Sequence, residues 1–313
     1  MNKELNGKRL PSCMLGTWVW GKGINGSKMI FGKSYSEEQL VETFCTAYDL
    51  GFTLWDTAEV YGMGNAEKIL GKCILKKGDT IISTKHMPGK KYKENEVTNA
   101  VSGSLHRLDI ENLDLYWLHK PYALQQNLTE LEECMRAGQI KSIGLSNCNI
   151  SQIEEAKNIL EKKGWKLAAV QNHYSLLAMD RQEKVIEYCN KNNILFFGYM
   201  VLEQGALSGY YDSKHLFPFF SMRRMVFGKR KFRKIQDLIE YERELAKKYG
   251  VDVSQIPIAW AISKQIIPVV GLTKPEHAKK LSEGCKIKLL VKEIEQLEIL
   301  ARRSGVTCKG SWE

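Results

Sequence analysis

Short apolar runs alternate with longer amphipathic segments along the whole chain, and this alternation restricts the possible folds more than any other feature. The apolar runs are about five residues long and rich in β-branched and aromatic residues, as buried strands are. The segments between them repeat their apolar residues with a helical period. Strict alternation predicts parallel strands joined by helices, and eight such units close a (β/α)8 TIM barrel.

Eight strands and eight helices can be placed on this pattern, followed by one further helix over 292–304 and a tail ending in Trp312. The predicted strands are 14–17, 53–56, 80–85, 113–119, 140–146, 168–172, 194–199 and 267–270. The predicted helices lie near 36–50, 64–76, 94–108, 127–137, 151–163, 180–192, 232–249 and 276–283. Two helix starts have the spacing of a capping box, Ser36 with Gln39 and Ser151 with Glu154.

Composition favours a single domain over residues 1–313 in the cytoplasm. The chain is 43% hydrophobic without a Pro/Ser-rich linker, and one barrel commonly fills about 200 to 400 residues. No apolar run approaches the roughly 18 residues that a membrane span needs, so no membrane partner is expected. Eight cysteines are scattered without a Cys-x-x-Cys pair, which favours reduced thiols and argues against a metal site.

One glycine motif suggests a different fold. Residues 21–26 read Gly-Lys-Gly-Ile-Asn-Gly and follow a predicted strand, as the phosphate loop of a Rossmann domain does. Such a loop opens a helix at once, yet residues 27–34 show no helical period, and no acidic residue ends a second strand about 20 residues later. We therefore expect a flexible loop beside a substrate-binding mouth.

Four residues suggest carbonyl chemistry. Asp56, Lys85 and His119 each end an apolar run, Tyr61 follows five residues after Asp56, and strand ends of this kind converge in a barrel. Hydride transfer to a carbonyl leaves negative charge on oxygen, so a proton donor is needed. Tyrosine has a pKa near 10, which the ammonium of Lys85 is expected to lower, with Asp56 as counter-ion and His119 as hydrogen-bond donor. Taken singly, such residues are more often an ordinary turn residue, strand end or half-buried ring, and it is their joint occurrence at successive strand ends that favours the catalytic interpretation.

The local sequence around these residues resembles that of the aldo-keto reductases. The matching segments are Asp56-Thr57-Ala58-Glu59-Val60-Tyr61-Gly62, Ser83-Thr84-Lys85 and Trp117-Leu118-His119-Lys120-Pro121. The resemblance implies an NADP-dependent oxidoreductase that interconverts an aldehyde or ketone with its alcohol, in which Tyr61 acts as general acid or base. The alternative is a cofactor-bound redox-sensing subunit, similar to channel β-subunits, with little turnover. Redox-neutral isomerisation also stays open.

The resemblance further implies a nicotinamide cofactor, with NADPH favoured and NAD possible. It assigns the carboxamide to Ser146, Asn147 and Gln171, ring stacking to Tyr199, the pyrophosphate to Leu202, Gln204, Gly205 and Leu207, and the adenosine 2′-phosphate to Gly271, Thr273, Lys274 and His277. The chain departs from the pattern where Met200-Val201 replaces Ser-Pro, and where Lys280 and Leu281 replace an acid and an asparagine that contact adenine.

The net charge of +10 raises the question of other partners. Seven Lys and Arg residues lie in 222–234, interleaved with two phenylalanines, which fits a nucleic-acid patch or a solvated helix start. The resemblance places this insertion over the cofactor phosphates, so no nucleic-acid partner is expected. An aromatic mouth suits an apolar, aromatic or sugar-like substrate. Its expected residues are Trp18, Trp20, Met87, Tyr92, Tyr122, Tyr174 and Trp312, although such residues as often only pack.

Overall fold

A computed structural model describes residues 3–23, 26–219 and 221–309. Trp312 and part of the glycine motif, residues 24 and 25, therefore lie outside the described residues. The strands are β1 (Glu4–Leu5), β2 (Lys8–Arg9), β3 (Met14–Gly16), β4 (Leu54–Asp56), β5 (Ile81–His86), β6 (Leu115–Leu118), β7 (Ile143–Ser146), β8 (Leu167–His173), β9 (Leu195–Tyr199) and β10 (Ile267–Gly271).

The helices follow the barrel strands as a parallel topology requires. They are α1 (Ser27–Phe31), α2 (Glu37–Asp49), α3 (Asn65–Ile74), α4 (Glu96–Leu108), α5 (Leu124–Arg136), α6 (Ile150–Glu161), α7 (Glu183–Lys191), α8 (Met222–Val226), α9 (Lys229–Lys234), α10 (Gln236–Tyr249), α11 (Gln255–Ser263), α12 (Pro275–Gly284) and α13 (Val291–Arg303). Short 3-10 turns lie at Trp18–Trp20, Met179–Arg181 and Glu203–Gly205.

The eight predicted strands close into one barrel, so the predicted (β/α)8 fold is confirmed. Strands β3 to β10 are all parallel, and β10 pairs with β3 to complete the ring. The boundaries of two strands were predicted too early. Regular pairing of β6 and β7 begins at Leu115 and Ile143, and the residues before them contribute only an isolated bridge between Leu113 and Ile140.

The barrel interior is filled by side chains. One buried cluster includes Met14, Leu54, Trp117 and Phe197 from four different strands. The indole of Trp117 lies so close to Gly144 that a Cβ built there would come within 2.3 Å of it, so this strand position has no room for a side chain. The lower interior is thus a packed core, as the fold requires.

The N-terminal end of the barrel is covered by a hairpin that the sequence did not indicate. β1 pairs antiparallel with β2, and Leu5 and Leu10 belong to the interior cluster. The Asn6 amide donates a hydrogen bond to the carbonyl oxygen of Asp114 at 2.9 Å. The open end of the barrel is therefore the opposite one, where the strands finish.

One of the two predicted helix caps is confirmed. The Ser36 hydroxyl accepts from the amide of Gln39 at 3.2 Å at the start of α2. The Ser151 capping box is wrong, because α6 begins earlier, with Asn149 as its cap. Asn149 and Gln152 exchange hydrogen bonds in a complete capping box of their own, shifted two residues from the predicted pair.

The helix near the C-terminus was predicted from the sequence, whereas a short helix near the N-terminus was not. The predicted helix over 292–304 is α13, which packs on α10. The expectation of no helix in 27–34 is wrong, since α1 covers Ser27–Phe31. The glycine motif still does not form a Rossmann loop, because a 3-10 turn separates it from β3 and the sheet is a closed barrel. None of the described helices is long and apolar enough to cross a membrane.

Candidate active site

The four predicted catalytic residues meet at the open end of the barrel. Asp56 is the last residue of β4, and Lys85 is the penultimate residue of β5. His119 directly follows β6, and Tyr61 lies in the loop before α3. All four side chains are buried, with at most 7% of each residue exposed. The rings of Tyr61 and His119 are 6.2 Å apart and nearly perpendicular.

A buried ion pair joins two of these four residues, Lys85 and Asp56. The Lys85 ammonium donates to an Asp56 carboxylate oxygen and, at 2.8 Å, to the carbonyl oxygen of Thr57. The second carboxylate oxygen of Asp56 accepts from the Ser83 hydroxyl at 2.6 Å. The Lys85 nitrogen lies 5.2 Å from the centre of the Tyr61 ring. Each charge thus has a partner, which a buried ion pair requires.

The electrostatics of the site differ from the sequence-based expectation at Tyr61. Burial raises the pKa of Tyr61 well above its usual range, and the carboxylate of Asp56 and the phenol of Tyr199 add to the increase. The expected lowering by Lys85 is therefore wrong for the free protein, because Asp56 offsets the ammonium and the ring is desolvated. Burial likewise lowers the pKa of Lys85.

His119 is held neutral at physiological pH. Burial lowers its pKa well below the usual range, and the nearby charges of Lys85 and Lys120 act in the same direction. A neutral imidazole donates a hydrogen bond through one ring nitrogen and accepts through the other. The site therefore presents two neutral proton-bearing groups, Tyr61 and His119, with the ammonium of Lys85 behind them.

A cleft of about 540 Å³ opens above these groups and extends across the barrel mouth. Asp56, Tyr61 and His119 line its inner end, whereas the buried Lys85 lies behind them. The cleft continues past the ends of β7 to β10 to the start of α12. A volume of this size is typical of small-molecule and cofactor sites.

The residues assigned to the nicotinamide lie beside the catalytic group. Ser146, Gln171 and Tyr199 line the cleft. Asn147 is not among the described lining residues, but its side chain orients its neighbours: it donates to the carbonyl oxygen of His119 at 2.9 Å and accepts from the Tyr199 hydroxyl at 2.5 Å. Asn147 therefore ties the aromatic ring of Tyr199 to the loop that carries His119.

The loop after β9 has an unusual backbone. Met200, Glu203 and Gln204 all have positive φ angles, at 64°, 46° and 56°, a conformation that costs non-glycine residues energy. The buried Glu203 holds this loop, because its carboxylate is hydrogen-bonded by the His173 imidazole at 2.7 Å and by the Ser175 hydroxyl.

The same loop only partly fits its assignment to the pyrophosphate. Leu202, Gln204 and Gly205 line the cleft, whereas the side chain of Leu207 is buried in the core, away from the described lining. The amides of both Gly205 and Leu207 already donate to the carbonyl oxygen of Leu202. Leu207 is thus a packing residue in this structure.

The far end of the cleft carries polar and ionisable side chains. Gly271, Thr273 and His277 line it as expected, and Lys280 lies there too, paired with Asp252 at 2.7 Å. Lys274 is not among the described lining residues, and its ammonium instead lies 3.5 Å from the carboxylate of Glu276. The first turn of α12 has no side-chain cap, but Pro275 carries no N–H and the amide of His277 donates to the carbonyl oxygen of Lys274 at 3.0 Å.

Comparison with known proteins assigns this chain to a family. Residues 13–302 match the model of the Aldo/keto reductase family. The chain belongs to that family. Membership supports an NAD(P)H-dependent oxidoreductase, and it confirms the resemblance inferred from the motifs.

Several curated and solved relatives share most of their length with this aldo-keto reductase. Aldo-keto reductase yakc of Schizosaccharomyces pombe, which has NADP(+) in its name, is 29% identical, over 88% of this chain and 87% of its own length. Chloroplastic pyridoxal reductase of Arabidopsis thaliana is 29% identical, over 92% and 82%. The crystal structure of the thermostable aldo-keto reductase Tm1743 with the inhibitor epalrestat has a TM-score of 0.73 and 28% identity, over 96% and 99%.

The aromatic substrate-binding residues expected from the sequence are mostly not in the cleft of this aldo-keto reductase. Trp18 lines it and stacks on Tyr61 at 6.0 Å. Trp20 is buried against Trp55 and donates to the carbonyl oxygen of Leu272, and Tyr174 is buried against Trp260. These two are core residues. Three more expected residues are also absent from the described lining: Tyr122, Met87 and Tyr92.

The basic segment supplies a cleft residue that the sequence analysis did not single out. Arg223 in α8 lines the cleft and is 8% exposed. Its guanidinium donates to the carbonyl oxygens of Gln204 and Phe31, at 3.1 and 2.8 Å, and lies 4.6 Å from the ring centre of Phe217. Arg223 thus connects α1 with the loop after β9. Its position in a basic run was visible in the sequence, but its partners are nearly 20 and 200 residues away.

Proposed function

We propose that this chain is an NADPH-dependent reductase of small aldehydes or ketones that also runs in the oxidative direction. The observation that carries the proposal is the meeting of Tyr61, His119 and the Lys85–Asp56 pair at the inner end of one cleft. A bound nicotinamide dinucleotide would supply or accept the hydride. The protein residues would bind the carbonyl, hold it and move the proton.

We assign the proton transfer to Tyr61. Its phenol is neutral in the free protein, so it carries a proton at neutral pH. As negative charge develops on the substrate oxygen, the phenol can deliver that proton, and the ammonium of Lys85 then stabilises the phenolate. Neutral His119 would donate a hydrogen bond to the same oxygen and orient the carbonyl. In the oxidative direction the same groups would remove the proton from the alcohol.

The chain offers a cofactor cradle along the remaining cleft. Ser146 and Gln171 bring polar groups to the cleft, and Tyr199, at the end of β9, adds a flat aromatic ring. The side chains of Thr273, His277 and Lys280 at the far end of the cleft could donate hydrogen bonds to a phosphate. Because only NADPH carries a 2′-phosphate, we propose NADPH as the preferred cofactor, with Lys280 rather than Lys274 as the main cationic contact.

The substrate end of the cleft favours an apolar or aromatic carbonyl compound. Trp18 forms one wall beside Tyr61, and Phe31, Tyr35 and Tyr211 continue it towards the mouth. Aromatic walls contribute apolar area at low cost in side-chain entropy. We therefore expect benzaldehyde-like substrates to be reduced with a lower KM than short polar aldehydes.

The test is a panel of aldehydes and ketones, followed by the loss of nicotinamide absorbance with NADPH and with NADH. We expect turnover of aromatic aldehydes with NADPH and slower turnover of glyceraldehyde. Tight NADPH binding without turnover of any carbonyl or alcohol would contradict the proposal and support a redox-sensing subunit instead. Absence of NADPH binding would reject both.

A further inference from the structure

Two cysteines meet at the end of the barrel opposite the cleft. Cys13 directly precedes β3 and is fully buried, and Cys285 follows α12 and is half-buried. Their sulfur atoms are 3.4 Å apart, although 272 residues separate them in the chain. The two thiols are thus in direct contact, and Cys285 is the one that solvent reaches.

The two thiols differ in acidity. The hydrogen bond from Cys13 lowers the pKa of Cys285, whereas burial raises the pKa of Cys13. Burial also raises the pKa of other cysteines in the described part of the chain, to about 12 for Cys73 and Cys189 and about 11 for Cys134. A thiolate is the reactive form of cysteine, so Cys285 combines the accessibility and the acidity that oxidation requires.

We propose that Cys13 and Cys285 form a redox-modification site, at which a peroxide converts the two thiols into a reversible disulfide. The thiolate of Cys285 attacks one peroxide oxygen, the O–O bond breaks, and the departing hydroxide takes a proton to form water. The resulting sulfenic acid is attacked by the sulfur of Cys13, the S–O bond breaks, and a second water leaves with the remaining protons. Two thiols lose two electrons, and the peroxide gains them.

Formation of this disulfide would act on the helix that reaches the cofactor cleft. A disulfide holds its sulfurs about 2.0 Å apart, so the two sulfurs must approach each other from their present 3.4 Å. Cys285 caps α12, and the same helix carries His277 and Lys280 into the cleft. We expect the new bond at one end of α12 to displace the residues that α12 contributes to the cleft, so that the oxidised protein binds NADPH more weakly. This coupling rests on the proposed cofactor site, whereas the disulfide itself does not.

The first experiment identifies the bond. The full-length protein is reduced, treated with a small excess of hydrogen peroxide, alkylated, digested and analysed by mass spectrometry without reduction. We expect a linked pair of peptides containing Cys13 and Cys285 that disappears after dithiothreitol treatment. Absence of this pair, or a link between Cys45 and Cys73 in its place, would overturn the proposal.

The second experiment measures the coupling by fluorescence titration of NADPH. We expect the dissociation constant of the wild type to rise about fivefold or more on oxidation, the size of a modest allosteric coupling. Cys285→Ser should abolish the rise, and Cys45→Ser, which changes another half-buried thiol, should keep it. Equal affinities of the oxidised and reduced wild type would overturn the coupling.

The reduced wild type separates the two proposals. If it fails to bind NADPH, the cofactor proposal fails and the coupling with it, whereas the linked peptide alone decides whether the disulfide forms. Circular dichroism of Cys285→Ser checks that the variant is folded, and the result on the wild type does not depend on any variant.

Discussion

At the scale of single residues, the proposed chemistry depends most on the hydroxyl group of Tyr61. Tyr61→Phe removes the proton donor and keeps the ring that stacks on Trp18. We expect turnover to fall by about 100-fold or more, since general acid catalysis contributes about that much. The dissociation constant of NADPH should stay nearly unchanged. Stopped-flow and steady-state kinetics measure the first quantity and fluorescence titration the second.

The matched control is Tyr188→Phe, which removes a hydroxyl from α7, outside the described cleft lining. It should leave turnover unchanged. Turnover of Tyr61→Phe close to that of the wild type would remove Tyr61 from the mechanism.

The positions of Asp56, Lys85 and His119 were predictable, whereas their electrostatics were not. The positions follow from the rule that strand ends of a barrel converge, which needs only the apolar runs. The pKa of Tyr61 depends on the burial of its ring and on the nearby charge of Asp56, and both depend on the folded loop. The sequence therefore predicted that these residues lie together, but it predicted a lowered pKa for Tyr61 where the folded protein raises it.

Glu242 offers a residue-scale prediction on stability. It is fully buried in α10, neither carboxylate oxygen has a hydrogen-bond partner in the described structure, and burial raises its pKa well above 4.5. Folding therefore favours its protonated form, so the stability of the protein falls as pH rises above 4.5. Glu242→Met should raise the free energy of unfolding at pH 8 by about 1 to 3 kcal/mol.

The measurement is urea unfolding of the wild type and Glu242→Met at pH 5 and pH 8. The gain should be larger at pH 8, where the wild type must keep a proton or bury a charge. Glu244→Met is the control, because Glu244 is exposed on the same helix, and its effect should be small at both pH values. A Glu242→Met variant less stable than the wild type at pH 8 would contradict this account.

At the scale of elements, α12 shows how helical phase decides which lysine reaches the cleft. His277, Lys280 and Leu281 are three and four residues apart, so they share one face, and all three line the cleft. Lys274 precedes the helix and pairs with Glu276. The sequence motif favoured Lys274 because it lies beside Thr273 and Pro275. The order of residues in a motif does not determine in which direction a side chain points.

This phase leads to a prediction on cofactor choice. Lys280→Ala should weaken NADPH binding by about tenfold, the lower end for a charge-assisted hydrogen bond, because the ammonium is partly exposed and shared with Asp252. NADH binding should barely change. Lys274→Ala is the matched control and should have a smaller effect on NADPH. Titration of both cofactors decides it: equal losses for NADPH and NADH, or a larger loss for Lys274→Ala, would contradict the assignment.

Helices that were missed from the sequence lack the pattern on which prediction depends. In α11, seven of nine residues are buried, from Gln255 to Ala261, so no polar face marks a helical period. The helices α8 and α9 are short and basic, and their positions are fixed by tertiary contacts such as those of Arg223 and Phe232. By contrast, α2 to α7 have one apolar and one polar face, and the sequence located each of them.

At the scale of the whole molecule, the order of the elements was the most predictable feature. Eight repeats of strand and helix have few ways to bury every strand on both faces, and closure into a barrel is one of them. The two-stranded cover of residues 4–9 was not predictable, because its strands are two residues long and its fit depends on the barrel end that it closes. The core residues Trp20 and Tyr174 were misassigned for a similar reason, since an aromatic residue after a strand can point into the mouth or into the packing between strand and helix.

The closed barrel also predicts how the whole chain unfolds. β3 and β10 lie at opposite ends of the sequence and pair with each other, so neither half of the chain can keep a complete sheet alone. We therefore expect one cooperative thermal transition, in agreement with the proposal of a single domain over residues 1–313.

NADPH contacts proposed at β7 to β10 and α12 should stabilise that unit as a whole. At about 100 times its dissociation constant, NADPH adds about 2.7 kcal/mol, or about 4 °C for a chain of this length. Differential scanning calorimetry with and without NADPH measures both effects. Two separate transitions, or a shift of only part of the heat absorption, would show that the chain contains independently folding parts.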